Sequence, residues 1–98
     1  MPEISRFFGI IIKMYYDEHY PPHFHAEYWE FQALIRIEDF TLMRGKLPPR
    51  VLGFVMEWMA IHKDELLEEW SLAREDKPLY KIKPLDWEVA WCIGIYLI

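Results

Sequence analysis

Ninety-eight residues, 53% of them hydrophobic and 17% aromatic, suffice for one packed core and exclude an intrinsically disordered chain. The formal charge of −5 is concentrated between residues 57 and 76, where seven acidic groups face two basic ones. That balance excludes broad binding to a phosphate backbone and leaves only a local basic patch at Arg44, Lys46 and Arg50.

Phe7 to Tyr16 is dense in β-branched and aromatic residues and predicts one central strand, with Ile10, Ile12 and Met14 on one face and Phe7, Ile11 and Tyr15 on the other. Pro21 and Pro22 supply no amide donors, so residues 17–22 form a loop. From His23 to Tyr28 the chain alternates, with His23, His25 and Glu27 to one side and Phe24, Ala26 and Tyr28 to the other. Gln32 to Ile37 alternates again, turning Ala33, Ile35 and Ile37 inward, and Thr41 to Arg44 closes an antiparallel meander. Trp29-Glu30 is poor chemistry for a two-residue turn, which favours Gly or Asn at positive φ, so a longer or bulged loop is expected there.

Gly45 to Pro49 punctuates the change to a helix, with Pro48 or Pro49 near the first helical position, where a missing amide costs nothing. Leu52, Val55, Met56, Met59, Leu66, Trp70 and Ala73 then fall on one helical stripe. A straight helix over 49–75 would be about 40 Å long at 1.5 Å per residue, too long for so small a domain, and a kink or break is expected near His62 to Asp64. On that stripe His62 reads as a half-buried histidine bonded to a carbonyl, and Trp58 and Trp70 as core or interface. Tyr80 to Leu85 alternates apolar and basic residues like a short edge strand.

The expected fold class is therefore α+β. An antiparallel sheet of three to four strands over residues 5–44 is packed by a long, kinked helix over 49–75, and a short C-terminal strand or two follows. Residues 1–85 form the domain. Residues 86–98 form an apolar tail that adds a strand or makes an oligomer contact, because exposed it would aggregate. The tail's apolar run from Val89 to Ile98 is ten residues, where a membrane-spanning helix needs about 20. The single cysteine, Cys92, reads as an inert buried thiol and excludes an internal disulfide. With no signal-peptide pattern at Met1 to Arg6, these features point to a reducing cytoplasm and no membrane association.

Several strings carry a family resemblance: Ile4-Ser5-Arg6-Phe7, Met14-Tyr15, His19-x-Pro21-Pro22-His23-Phe24-His25-Ala26-x-Tyr28, and Gly45-x-Leu47-Pro48-x-Arg50. Further matches fall at Glu57-Trp58, His62, Glu65-Leu66, Trp70, Ala73 and Ile82-x-Pro84-Leu85. Over roughly residues 1–85 the chain resembles the bacterial family known as domain of unknown function 4160. The resemblance implies a small bacterial or phage-like accessory gene beside a second small gene, an arrangement similar to toxin–antitoxin pairs. It implies a protein partner encoded nearby, and the sticky tail adds the expectation of a homodimer or higher oligomer. Two departures from the family pattern are Trp29-Glu30, where a glycine-containing turn is usual, and the apolar tail.

The one local concentration of chemistry is His19, His23 and His25, bracketed by Asp17, Glu18 and Glu27. Two residues apart on a strand, His23 and His25 project to the same side about 7 Å apart at the backbone, close enough to share a ligand. With Asp17 as carboxylate, or His19, as third ligand, they would form a two-histidine, one-carboxylate site for a divalent metal, and no other cofactor is expected. A second chemistry needs no metal: His19, His23 or His25 exchanges a proton with an RNA hydroxyl while Arg6 or Lys13 stabilises the developing phosphorane. A third reading is structural, with the histidines capping the loop by bonds to backbone carbonyls. The spacing of His23, His25 and Glu30 also matches the first metal motif of cupins, but the flanking glycines and the second motif are absent.

Overall fold

A tight turn, rather than a long strand, governs the start of the chain. The computed structural model describes residues 3–16 and 18–86, so Asp17, Cys92 and the apolar tail from residue 87 lie outside the described residues. Within Phe7 to Tyr16, Phe8 and Gly9 take φ of 51° and 79°, two consecutive positive values that mark a two-residue hairpin turn of the primed type. The expected single strand is therefore two, β1 (Glu3–Phe7) and β2 (Ile10–Lys13), with Phe7 opposite Ile10. The turn brings Phe7 to the same face as Ile10 and Ile12, whereas a straight strand would have opposed them.

β3 (His23–Tyr28), β4 (Phe31–Arg36) and β5 (Leu42–Gly45) complete a five-stranded antiparallel meander in sequence order, one strand more than the expected maximum. Trp29-Glu30 is after all a two-residue turn, closing directly between Tyr28 and Phe31 with Trp29 at φ 52°. The strain of a bulky residue there, about 1 kcal/mol, is outweighed by the pairing it permits. That register sets Phe24 opposite Ile35 and Ala26 opposite Ala33, all four buried. Ala33, Ile35 and Ile37 turn inward as the alternation requires.

The helical stretch divides at His62 into α1 (Pro49–Ile61) and α2 (Lys63–Arg74), within the expected region. His62 leaves helical geometry at φ −112° and ψ 23°, yet its N–H still donates to the Trp58 carbonyl and its carbonyl accepts from Leu66. Its Nδ1–H donates to Glu65 Oε1 at 2.5 Å, a carboxylate rather than the expected carbonyl. The buried faces are Val51, Val55, Trp58 and Met59 on α1, and Leu66, Glu69, Trp70 and Ala73 on α2, while Leu52 and Met56 are only half-buried. No helix among the described residues is long and apolar enough to cross a membrane.

Tyr80 to Leu85 runs beside β1 but does not become a ladder strand. One backbone bond, from Ile82 N–H to the Ile4 carbonyl at 2.7 Å, joins them, and Ile82 and Leu85 insert into the core. Beneath this segment lies a group the hydrophobic stripe gives no sign of. Glu69 is 0% exposed, with one carboxylate oxygen accepting from Tyr80 N–H at 2.8 Å and the other without a hydrogen-bond partner. Burial raises its pKa, the Tyr80 N–H opposes the shift, and the nearby Glu68 and Glu65 add to it, so the group stays above the ordinary carboxyl value of 4.5.

The sign of the resulting pH dependence follows. A carboxyl whose pKa is higher folded than unfolded costs no stability while both states are protonated, below about 4.5, and costs increasingly as pH rises beyond that. Glu69→Gln keeps the acceptor for Tyr80 and removes the charge. It should raise unfolding stability at neutral pH by roughly 1–2 kcal/mol, with the gain disappearing below the ordinary carboxyl value, as urea titrations across pH would show. Equal stability of the two proteins at every pH would contradict this assignment.

Candidate functional site

The polar face of β3 acquires its chemistry from the loop before it. His23 opens the strand, and its Nδ1–H donates to the Pro21 carbonyl at 2.8 Å, across a segment in which the Tyr20-Pro21 peptide is cis. A carbonyl can only accept, so Nδ1 carries a hydrogen, and in the neutral ring Nε2 presents a lone pair on the other side. The ring is wedged against Trp70 at 5.2 Å between centroids and lies 5.7 Å from the His25 ring, leaving the side chain 5% exposed. Its Nε2 is buried and has no hydrogen-bond partner.

Glu18 is what this nitrogen faces. Its Oε2 lies 3.6 Å from His23 Nε2, beyond hydrogen-bond reach, while its Oε1 is hydrogen-bonded to His25 Nε2. The His25 ring also meets the Tyr15 ring edge-on at 4.5 Å. Burial pushes the Glu18 carboxyl up, but the bond to His25 and the proximity of the two histidine rings outweigh it, holding the group below the ordinary carboxyl range. One ligand-capable atom each from Glu18, His23 and His25 lies within 4.8 Å of the others.

Helix α2 holds this loop in place. Arg74, in its last turn, donates from Nη1 to the Glu18 carbonyl at 3.0 Å and lays its guanidinium over the Tyr20 ring at 5.2 Å. Beside the cluster opens a hollow of about 310 Å³ whose walls include Glu18, His19, Tyr20, His23, Met43 and Arg44.

The structure thus brings together two of the sequence-derived candidates, His23 and His25, and adds Glu18. Asp17, the carboxylate expected as third ligand, lies outside the described residues. His19 is exposed on the wall of the hollow and is not part of the cluster. Arg6 sits two strands away on β1, about 10 Å across the sheet by strand spacing, and pairs with Glu3 at 2.7 Å. Lys13, opposite His25 in the ladder, is engaged by Glu27 at 3.1 Å. Glu30, the third residue of the cupin-like spacing, is exposed beyond the end of β3 and takes no part. Trp70 was legible as core or interface and Arg74 only as a helix residue. No local pattern signals that they wall and anchor a loop so much earlier in the chain, as the Arg74 bond to Glu18, 56 positions away, does.

Neither a curated protein nor a solved structure matches the chain. A family model does match, over residues 9–71, a span that holds all three residues of the cluster and the helix break at His62. Its description is a domain of unknown function, DUF4160, and the chain belongs to that family.

Proposed function

We propose that this protein is an interaction module of a two-gene bacterial accessory system of the toxin–antitoxin kind, and that its partner adds a strand to the open edge of the sheet at β5. The observation that carries this reading is the difference between the two edges. Among the described residues β1 is flanked by Tyr80 to Leu85, whereas β5 pairs with β4 alone and exposes all four of its residues, Leu42 at 38% and Met43 at 37%. An unpaired edge offers a row of backbone donors and acceptors to an extended segment. The ladder irregularity beside Met43 limits indiscriminate pairing and favours a partner with a matching register. Arg44 and Lys46 make an acidic partner segment the best complement.

Coexpression with the neighbouring gene followed by native mass spectrometry tests this. A complex of fixed stoichiometry is expected, weakened about tenfold by Arg44→Glu with Lys46→Glu, since those side chains are exposed and the changes leave the fold intact. A partner-free species, or a complex indifferent to changes on β5, would remove the edge from consideration. A homodimer would assign the edge to a second copy.

A second reading, hydrolysis of the ribonuclease type, is favoured by one observation: Glu18, His19 and His23 share a hollow with the basic Arg44. Under it, a histidine exchanges the proton and Arg44, rather than the distant Arg6, faces the phosphate. Mixed RNA left intact between about pH 5 and 8, the range in which histidine titrates, would eliminate it.

A further inference from the structure

We infer that Glu18, His23 and His25 bind a first-row divalent metal ion of the zinc, cobalt or iron class, with coordination positions left open toward the hollow beside them. Three observations converge on this. The first is the donor set: two imidazoles and one carboxylate, each offering an atom within 4.8 Å of the others, are a set that such ions select and that hard magnesium or calcium sites do not use.

The second is the state of His23. Its Nδ1–H is tied to the Pro21 carbonyl, the arrangement by which an outer partner orients a ligating imidazole and leaves its far nitrogen as the one that can take a metal. That nitrogen, Nε2, is buried and has no hydrogen-bond partner. A buried acceptor lone pair left without a donor is costly, and here it faces the Glu18 carboxylate, itself an acceptor, at 3.6 Å. Two acceptors turned toward one another in a partly dry site need a cation or a proton between them.

The third is spacing. A tetrahedral ion with bonds near 2.0 Å separates its ligands by roughly 3.3 Å, close to the His23–Glu18 separation. The Glu18–His25 hydrogen bond would be exchanged for coordination, His25 carrying its hydrogen on Nδ1 instead of Nε2. Glu18 and His23 both line the hollow, so the positions these three residues do not fill are reachable from solvent, with His19, Tyr20 and Arg44 around them. This is the geometry of an ion available to a further ligand rather than one sealed for structure alone. Trp70 and Arg74 fix the cluster from behind, through the His23 ring and the Glu18 backbone.

The test is titration of chelator-stripped, full-length protein with Co²⁺, followed by its visible ligand-field bands, and with Zn²⁺, followed by metal analysis after gel filtration. About one equivalent should bind at micromolar free ion. Glu18→Gln and His25→Ala should each weaken binding at least tenfold, while Glu65→Gln, which alters the His62–Glu65 pair at the helix break, should leave it unchanged. Circular dichroism of each variant separates loss of the ligand from loss of the fold, and His25→Ala, at a half-buried ring, disturbs packing less than a change at the buried His23 would. Absence of binding by the wild-type protein, or binding that Glu18→Gln and His25→Ala do not reduce, would overturn the inference.

Discussion

Trp58→Ala is expected to lower the stability of the protein by about 3–5 kcal/mol, enough to leave a domain of this size largely unfolded or close to it. Trp58 is 0% exposed, and its ring meets Phe7 at 5.5 Å, Phe24 at 5.9 Å and His62 at 5.6 Å between centroids. It therefore joins β1, β3 and the helix break in one contact set. Its Nε1–H also donates to the Lys83 carbonyl at 2.9 Å, tying down the segment that flanks β1. Truncation opens a cavity at the centre of three elements and leaves that carbonyl without its donor. Urea unfolding should show the midpoint falling by about 2 M, given slopes near 1–3 kcal/mol per M for small proteins. Trp58→Phe separates the two roles: it keeps most of the ring packing and loses the bond, and should cost about 1 kcal/mol more than the packing change alone. A loss under about 1 kcal/mol for Trp58→Ala would mean that the core described here is not the one that holds the protein together.

Gly45→Ala should be nearly as damaging, for a backbone reason. Gly45 has φ of +79°, and a Cβ built there would stand 2.1 Å from the Gln32 carbonyl oxygen. No side chain can yield to relieve that contact, so β5 must move away from β4. The combined cost of the left-handed conformation and the displaced strand is about 3 kcal/mol. Hydrogen exchange would locate it: the Lys46 amide, which donates to that same carbonyl at 3.0 Å, should lose protection by a larger factor than the amides of Ile10 to Lys13. Gly9 is the control, because its φ is also +79° but an added Cβ meets only two Tyr28 ring carbons, at 3.5 and 3.9 Å. Gly9→Ala should cost no more than about 1–2 kcal/mol. Equal losses at the two positions would show that the φ angle, and not the approach to Gln32, governs Gly45.

What the sequence reveals here depends on whether a feature is local. The alternation from His23 to Tyr28 and from Gln32 to Ile37 correctly separates the core face of Phe24, Ala26, Ala33 and Ile35 from the polar face with His25, because a strand's two-residue period is written directly in the residues. The break at His62 follows from length alone. The hairpin at Phe8-Gly9 was concealed because a lone glycine among aromatic and β-branched residues carries little weight against so strong a strand signal. Trp29 misled in the opposite direction: a poor turn residue is tolerated where two well-registered strands impose the turn. The site was half legible. His23 and His25 share a face by periodicity, but bringing Glu18 to them requires knowing how an irregular loop folds back, and that depends on Arg74 and Trp70 from the far end of the chain. Glu69 was hidden because a charged residue on the margin of an apolar stripe is ordinarily read as solvent-facing.

The bond between Arg74 and the Glu18 carbonyl spans 56 positions of sequence, and it joins the last turn of α2 to the loop that carries one third of the cluster. The end of a helix is ordinarily where fraying is cheapest. Here that cheap motion would release the loop with it, so the cluster and the helix terminus form one cooperative unit. Order at the cluster and order in the last turn of α2 are therefore coupled, and a ligand bound at the one would also stabilise the other.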